Sequence, residues 1–380
     1  MQHDLAAIVP LLLICHKAGV KQIVAFLPFE VPSRAKIRGV IETVVIGAAG
    51  GLLFLLANLP GGLISGAMIA VAIAAIAGRP LAMLPIVTQS VLVLLGISLG
   101  SVVSRHMLQQ VSAYPLTIFL LALSTFCATF GSSYYLQRIH GWDRTSALLA
   151  GSPGALSQIV ILAVERGADL PGVAVVQTVR VIIIAAALPL LLALAGVAPS
   201  AASSLSATIA SPIEIVVLVV ASLALALLFQ LVKFPASWMF GAMIASSVLH
   251  GGGWIEGGLP NWVRGVALVG IGALIGSRFA RMKMKTLTSH LRAALGSFAI
   301  AIVITSIFVA IVMLTANVRF SDLVVAYAPG AMDAMLALAL TLHIDPIFVG
   351  VHHVTRFIYV SIATPGIVHL FGRTQDDVDD

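Results

Sequence analysis

The sequence predicts an all-α membrane protein built from two tandem copies of one hydrophobic unit. Of its 380 residues, 60% are hydrophobic and only 9% are charged, whereas a soluble domain carries about 25% charged residues. A soluble fold of this size cannot hide so much apolar surface, so lipid must be its solvent. We interpret the formal net charge of +6 as a guide to orientation in the membrane, and not as a sign of nucleic-acid binding.

The two halves of the chain share Gly, Pro and charged residues at a nearly constant spacing. Residues 60–70 recur at 235–245, an offset of 175, and after one additional residue the offset is 176. Similar apolar composition explains matches of Leu and Val, but it does not explain a matched Pro-Gly-Ala or an isolated Arg. The matched pairs at the offset of 176 include Gly96 and Gly272, Pro153 and Pro329, Asp169 and Asp345, Arg180 and Arg356, and Pro189 and Pro365.

This repetition predicts the domain organisation. Repeat 1 covers residues 36–196 and repeat 2 covers 212–370, joined by an Ala- and Ser-rich linker at 197–211. Residues 1–35 form an N-terminal segment without the basic start of a signal peptide, which we leave unassigned or place at the membrane interface. An acidic tail follows at 371–380.

Each copy contains six apolar segments, and the fifth is interrupted. Pro153-Gly154 and Pro329-Gly330 lie near the middle of the fifth segments, at 144–165 and 321–342. Pro removes a hydrogen-bond donor and Gly permits a sharp bend, so two short half-helices are expected in each copy. Segment length does not decide whether such a segment crosses the bilayer or enters and returns.

The distribution of basic residues decides between these alternatives. With re-entrant hairpins, each copy has about five crossings, the second copy is inverted, and sixteen basic residues face the cytoplasm against three outside. With spanning segments the copies are parallel and the split is eleven against eight. The positive-inside rule therefore favours inverted repeats with both termini in the cytoplasm.

Inverted repeats are typical of secondary transporters, whose sites lie at broken helices near the membrane centre. Lipid cannot satisfy the backbone groups freed by a break, and the half-helix ends carry partial charges that attract ions. We expect the spacing Gly62 to Gly66 and Gly96 to Gly100 to serve helix packing. The candidate binding residues at the two breaks are Ser152, Pro153, Gly154, Ser157, Gln158, Pro329, Gly330 and Asp333.

Arg180 and Arg356 complete this predicted site. Each lies about ten residues into an apolar helix, where an unpaired charge is costly. One interpretation is that they bind an anionic substrate group through the guanidinium fork. The other is structural: an ion pair, for instance with Asp333, Asp169 or Asp345, or capping of the carbonyl groups freed at the breaks. The residues alone leave both open.

Asp333 and His353 are candidates for binding the coupling ion or proton. Asp333 stands where repeat 1 has Ser157. His352 and His353 are expected at the beginning of the helix that carries Arg356, as interfacial or proton-relay residues and not as metal ligands. No catalytic motif or metal-ligand cluster is present, so we predict no enzyme activity, no metal and no cofactor beyond coupling Na⁺ or H⁺.

Several motifs carry a resemblance to a known family. Pro60-x5-Gly-Ala-Met, Ala150-Gly-Ser-Pro-Gly-Ala-Leu-Ser, Tyr327-Ala-Pro-Gly-Ala-Met-Asp-Ala-Met and His352-His-Val-Thr-Arg resemble the internally duplicated AbrB/AmoA-type bacterial membrane family, over residues 35 to 370. That family has been labelled both transition-state regulator and ammonia monooxygenase. The residues here support neither label, since neither a soluble DNA-binding domain nor a clustered metal-ligand set is evident.

The resemblance implies a likeness to inverted-repeat ion antiporters and anion transporters, and a location in the bacterial inner membrane. We expect an ion- or proton-coupled transporter of a small organic anion, surrounded by lipid, without a nucleic-acid partner, and with a homodimer left open. The alternatives are a metal-dependent membrane monooxygenase and a membrane regulatory protein.

Overall fold

The structure is a computed structural model, and it describes residues 33–59, 61–102, 114–153, 156–195, 209–282 and 284–371. Regular structure in these ranges is helical, apart from an isolated bridge between Ile209 and Gly258. The predicted N-terminal segment up to residue 32, the linker up to 208 and the tail from 372 lie outside the described residues.

Within the described ranges, each half of the chain has seven α-helices. Those of the first half are α1 Arg34–Leu56, α2 Gly62–Ile76, α3 Pro85–Gly100, α4 Tyr114–His140, α5 Arg144–Gly151, α6 Leu156–Glu165 and α7 Leu170–Leu194. Those of the second half are α8 Pro212–Leu231, α9 Ser237–Gly251, α10 Asn261–Gly276, α11 Met284–Thr315, α12 Phe320–Tyr327, α13 Met332–Thr341 and α14 Pro346–Phe371. A 3₁₀ helix, Ser277–Arg281, follows α10.

The helices of the second half repeat the bounds of those in the first. The bounds of α9 are those of α2 shifted by 175, and the bounds of α10, α12 and α13 are those of α3, α5 and α6 shifted by 176. The turn before the second helix recurs as well, because Gly61 and Ala236 both have left-handed backbone, with φ of 64° and 45°. The same residue pattern thus produces the same order of helices twice.

Seven of the described helical segments are long and apolar enough to cross a membrane: α1, α4, α7, α8, α11, α14, and α10 with its 3₁₀ extension to Ala280. We expected about ten. The helices α2, α3 and α9 have only 15 or 16 residues, about 23 Å at 1.5 Å per residue, which is less than the roughly 30 Å of a bilayer core.

The helices pack as two bundles that mix the two halves of the chain. The first bundle contains α1–α3 and α8–α10, in which α2 packs against α10 and α3 against α9. The second bundle contains α4–α7 and α11–α14, in which α11 packs against α4 and α7, and α14 against α4. The half-helix α13 lies between the bundles, since it contacts α3 and α10 as well as α7.

Glycines allow the close helix contacts within the first bundle. A Cβ at Gly96 or Gly100 would overlap the backbone of α9, and a Cβ at Gly66 would overlap the backbone carbonyl of Gly50 in α1. The equivalent Gly272 makes the reciprocal contact with the backbone of α2. The prediction that these spacings serve packing is confirmed.

Candidate functional site

Both predicted helix breaks are present. The half-helix α5 ends at Gly151 and α6 begins at Leu156, while α12 ends at Tyr327 and α13 begins at Met332. Pro153 and Pro329 lie in the breaks and are buried. The final carbonyl groups of a helix have no partner within it. Those of α5 and α12 therefore need hydrogen-bond donors from elsewhere in the fold.

At the first break, two side chains of α7 supply these hydrogen bonds. Arg180, only 3% exposed, donates from Nη2 to the Ser152 carbonyl at 3.2 Å and from Nη1 to that of Gly151 at 3.5 Å. Gln177, one turn earlier, donates from Nε2 to the carbonyls of Leu149 at 3.0 Å and Ser152 at 2.8 Å. The Gln177 side-chain oxygen also accepts from Arg180.

At the second break, two side chains of α14 act in the same way. Arg356, 5% exposed, donates from Nη1 to the Ala328 carbonyl at 2.7 Å and from Nη2 to that of Gly330 at 3.3 Å. His353 Nε2 is 3.0 Å from the Val325 carbonyl, and its Nδ1 contacts Arg356. Because arginine only donates, Nδ1 must accept and the neutral ring carries its proton on Nε2.

The two arrangements are equivalent residue by residue. Gln177 and His353, Arg180 and Arg356, and the acceptors Ser152 and Ala328 all differ by 176 in number. Of the structural roles open for the arginines, the capping of freed carbonyls is therefore the one present. Gln177 was missed in the sequence, although its match to His353 at the repeat offset was a usable signal.

The ion-pair alternative for the arginines is wrong within the described residues. The Asp333 carboxylate lies 3.8 Å from Arg278, and that of Asp169 lies 3.2 Å from His290. Asp345 instead accepts from the backbone N–H groups of Ile347 at 2.8 Å and Phe348 at 3.1 Å, at the beginning of α14. None of these carboxylates pairs with Arg180 or Arg356.

The two arginines therefore carry buried positive charge at the two breaks. Both guanidinium groups are buried, and neither has a carboxylate within ion-pair distance among the described residues. The buried Nε of Arg180 also has no hydrogen-bond partner there. Buried charge of one sign is costly unless a counter-charge accompanies it.

Two more of the predicted site residues, Ser152 and Asp333, lie beside the breaks. The Ser152 hydroxyl is buried and lies 3.2 Å from that of Thr364 in α14. Asp333 is in the first turn of α13 and partly exposed. Gly154 and the side chains of Ser157 and Gln158 lie outside the described part of the structure.

A cavity of about 240 Å³ lies between α6 and α14. Thr364 is in its wall and connects it to Ser152 at the first break through their hydroxyl contact. The walls are mostly apolar and carry two hydroxyl groups and one carboxylate. They are formed by Ile159, Leu162, Glu165, Val360, Ser361, Thr364 and Pro365.

His352 and His353 do not begin their helix. They lie inside α14, which begins at Pro346, and both are buried. His352 Nε2 is 2.8 Å from the Thr117 hydroxyl, and its Nδ1 is 2.8 Å from the Phe348 carbonyl. Asp345 caps the beginning of this helix.

A buried acidic pair that we did not predict lies at the start of α12 and α14. Asp322 accepts two hydrogen bonds from Arg319, at 2.9 and 3.2 Å, and its Oδ1 lies 3.5 Å from the Asp345 backbone N–H. Burial raises the pKa of the Asp345 carboxyl, against the two backbone N–H groups that lower it. Burial also raises the pKa of Asp322, although Arg319 opposes that shift.

The described residues contain no group of three or more His, Cys, Asp or Glu side chains placed to hold a metal ion. His352 and His353 instead have backbone carbonyls as partners.

Known proteins resemble the chain over most of its length. Residues 63–372 match the family described as "Transition state regulatory protein AbrB". "Uncharacterized protein YhjN" of Bacillus subtilis (strain 168) is 26% identical over 306 residues, which cover 74% of this chain and 79% of that protein.

A second relative is "Putative regulator AbrB" of Escherichia coli (strain K12), which is 24% identical over 318 residues, covering 83% of this chain and 91% of that protein. No solved structure matches the chain significantly.

The family match spans well over half of the chain, and the helices suited to crossing a bilayer lie mostly within it. The chain therefore belongs to the AbrB family of membrane proteins.

Proposed function

We propose that the protein is a secondary active transporter of a small organic anion, coupled to Na⁺ or H⁺. The observation that carries this proposal is the pair of buried arginines, Arg180 and Arg356, at two equivalent helix breaks without a described carboxylate partner. A translocated anion is a counter-charge that arrives and leaves, whereas a resident ion pair would cancel the charge permanently.

The surroundings of Arg356 favour a carboxylate or similar group. The half-helix α13 begins beside it, at Met332, and has no side-chain cap on its first N–H groups. Uncapped N–H groups carry partial positive charge and bind anions. Arg356 already donates from both Nη atoms, so in this proposal a substrate oxygen replaces the longer of these two bonds, the one to the Gly330 carbonyl.

The arrangement of the two bundles supports movement of one against the other. The half-helix α13 and the helix α7 lie where the bundles meet, since α7 contacts α2 and α13 contacts α3 and α10. In the proposed topology the two copies are inverted, the breaks dip into the membrane, and alternating exposure follows from rocking about them. The termini are then cytoplasmic and the membrane is the bacterial inner membrane.

Asp333 is the proposed coupling residue. Its carboxylate lies in the first turn of α13, beside the same break as Arg356, and its partner Arg278 is 3.8 Å away. Such a loose, partly exposed pair is weak, so a proton or a sodium ion can compete with Arg278 for the carboxylate. His353 is the second candidate, and its protonation on Nδ1 would break its contact with Arg356.

A ligand screen on the purified full-length protein tests the proposal. Mono-, di- and tricarboxylates are compared by thermal unfolding in sodium and in potassium buffers between about pH 5 and about pH 8. Ligands that stabilise the protein are then tested for uptake into proteoliposomes.

Arg356→Lys keeps the positive charge and removes the guanidinium fork, so we expect weaker ligand stabilisation. Arg138→Gln, in the last turn of α4, is the control. If none of the stabilising ligands is taken up, the result contradicts the proposed transport function.

The family description and the name of the Escherichia coli relative favour a second candidate, a membrane-bound regulator. A regulator would bind its ligand without moving it, so ligand stabilisation without uptake would favour that function. Stoichiometric copper or iron in the purified protein would instead favour the monooxygenase alternative.

A further inference from the structure

A cavity of about 490 Å³ lies where the first turns of α1 meet the turn after α2, well apart in sequence from the helix breaks. Basic side chains from both elements surround it. Its lining residues are Arg34, Ala35, Arg38, Gly39, Glu42, Arg79 and Pro80. We call it the α1 pocket.

The α1 pocket has an excess of positive charge. Glu42 accepts one hydrogen bond from Nε of Arg79 and forms an ion pair with its Nη2, so these two charges cancel. Arg34 and Arg38 have no ion pair with any carboxylate in the described part of the chain. Because they are four residues apart on one helix, they lie on the same face and give the pocket two positive charges that no described carboxylate pairs with.

The wall opposite α1 is held in place by hydrogen bonds. The buried Thr43 hydroxyl donates to the Gly39 carbonyl at 2.7 Å and accepts from the Ala82 backbone N–H at 3.1 Å. Gly39 lacks the Cβ that would collide with the Pro80 carbonyl. The segment that carries Arg79 is thus fixed against α1, and the pocket does not need a ligand to form.

The adjacent surface of α1 is apolar and exposed. Ile37, Ile41 and Val45 follow one another at four-residue spacing, starting beside the arginines, and Ile41 is 58% exposed. Exposed aliphatic side chains on a membrane helix face acyl chains. A ligand that reaches both surfaces needs a negatively charged head joined to hydrocarbon.

We propose that the α1 pocket binds the phosphate of an anionic phospholipid headgroup, with Arg34 and Arg38 as its ligands and the acyl chains along Ile37, Ile41 and Val45. Guanidinium groups match phosphate oxygens in geometry, and basic pockets at the ends of membrane helices are sites for such headgroups. This lipid site is independent of the proposed transport function.

Lipid binding to the purified full-length protein tests the proposal. Native mass spectrometry and thermal unfolding in detergent are measured with added phosphatidylglycerol, with phosphatidylcholine and with inorganic phosphate. We expect phosphatidylglycerol to bind and to raise the unfolding temperature, and the other two to do so far less. Equal stabilisation by inorganic phosphate would overturn the lipid assignment and leave a soluble phosphate as the ligand.

Two variants and a matched control assign the binding to the pocket. The double variant Arg34→Gln, Arg38→Gln should weaken phosphatidylglycerol binding by about twenty-five-fold, at about fivefold for each arginine. The control Arg138→Gln, Arg166→Gln removes the same charge from two other exposed sites and should bind as the wild type does. Glu42→Gln releases Arg79 and should tighten binding. Equal losses in the double variant and the control, or no change with Glu42→Gln, would overturn the proposal.

Discussion

Arg180 and Arg356 lie 176 positions apart, and each donates to the carbonyl group that follows a broken half-helix, Ser152 in one case and Ala328 in the other. The arginines therefore have a structural role before any ligand is considered. A charge that is already held by carbonyl oxygens is also fixed in position, which reduces the entropic cost of binding an anion.

His353→Gln tests the equivalence of the two breaks. Gln occupies the corresponding position 177 and donates to the corresponding carbonyl of Leu149, so it should replace the bond from His353 to Val325. We expect His353→Gln to unfold close to the wild-type temperature. His353→Ala leaves a buried carbonyl without a partner and should cost about 1–3 kcal/mol, measured by denaturant unfolding in detergent micelles.

His353→Gln also tests the proton-relay role of His353. If its ring carries the coupling proton, His353→Gln should keep the fold and remove the pH dependence of uptake in proteoliposomes. A variant with the wild-type pH profile would show that the proton binds elsewhere.

Asp333→Asn separates coupling from stability. The pair with Arg278 is partly exposed and 3.8 Å long, so its loss should cost no more than about 1 kcal/mol. Uptake driven by a sodium or proton gradient should nevertheless be abolished. Arg278→Gln breaks the same pair from its other side and should keep gradient-driven uptake; if both variants lose it equally, the pair is needed as a unit and Asp333 is not a separate ion site.

Gly96→Ala tests the contact between α3 and α9. The new methyl group would overlap the Met239 backbone carbonyl, and overpacking of this kind costs about 1–3 kcal/mol. Gly366→Ala, in α14 and with open space around it, is the control and should be neutral or stabilising because Ala favours helix. Comparing the unfolding temperatures of the two variants tests whether α3 and α9 are in this close contact.

Asp345→Asn should change how stability depends on pH. The pKa of Asp345 is raised by burial in the folded protein above the value of about 3.9 in an unfolded chain. The folded state then binds more protons than the unfolded state between these two values, so the free energy of unfolding falls as pH rises through that interval.

Asn keeps the side-chain oxygen that caps α14 and has no charge to desolvate. The variant should therefore gain stability relative to the wild type as pH rises from about 4, with Asp322 and Arg319 unchanged beside it. Denaturant unfolding at several pH values measures this difference. A constant difference across the range would mean that the burial of Asp345 has no energetic consequence.

The sequence alone determined the membrane environment, the repeated pattern and the position of both breaks. These follow from composition and from covalent limits, because a low share of charged residues excludes a soluble surface and a proline lacks a donor wherever it stands. The equivalence of Arg180 and Arg356 also followed from their spacing.

Only the tertiary structure decided which partners those residues have. Ion pairing and carbonyl capping use the same guanidinium groups, and the choice between them depends on which backbone or carboxylate the neighbouring helices bring within about 3 Å. Asp333, three residues after Gly330 in sequence, lies beside Arg278 of the first bundle, while Gln177 lies at the break although it is 25 residues from Ser152. Packing between helices sets such distances, and the spacing of residues along one chain does not encode them.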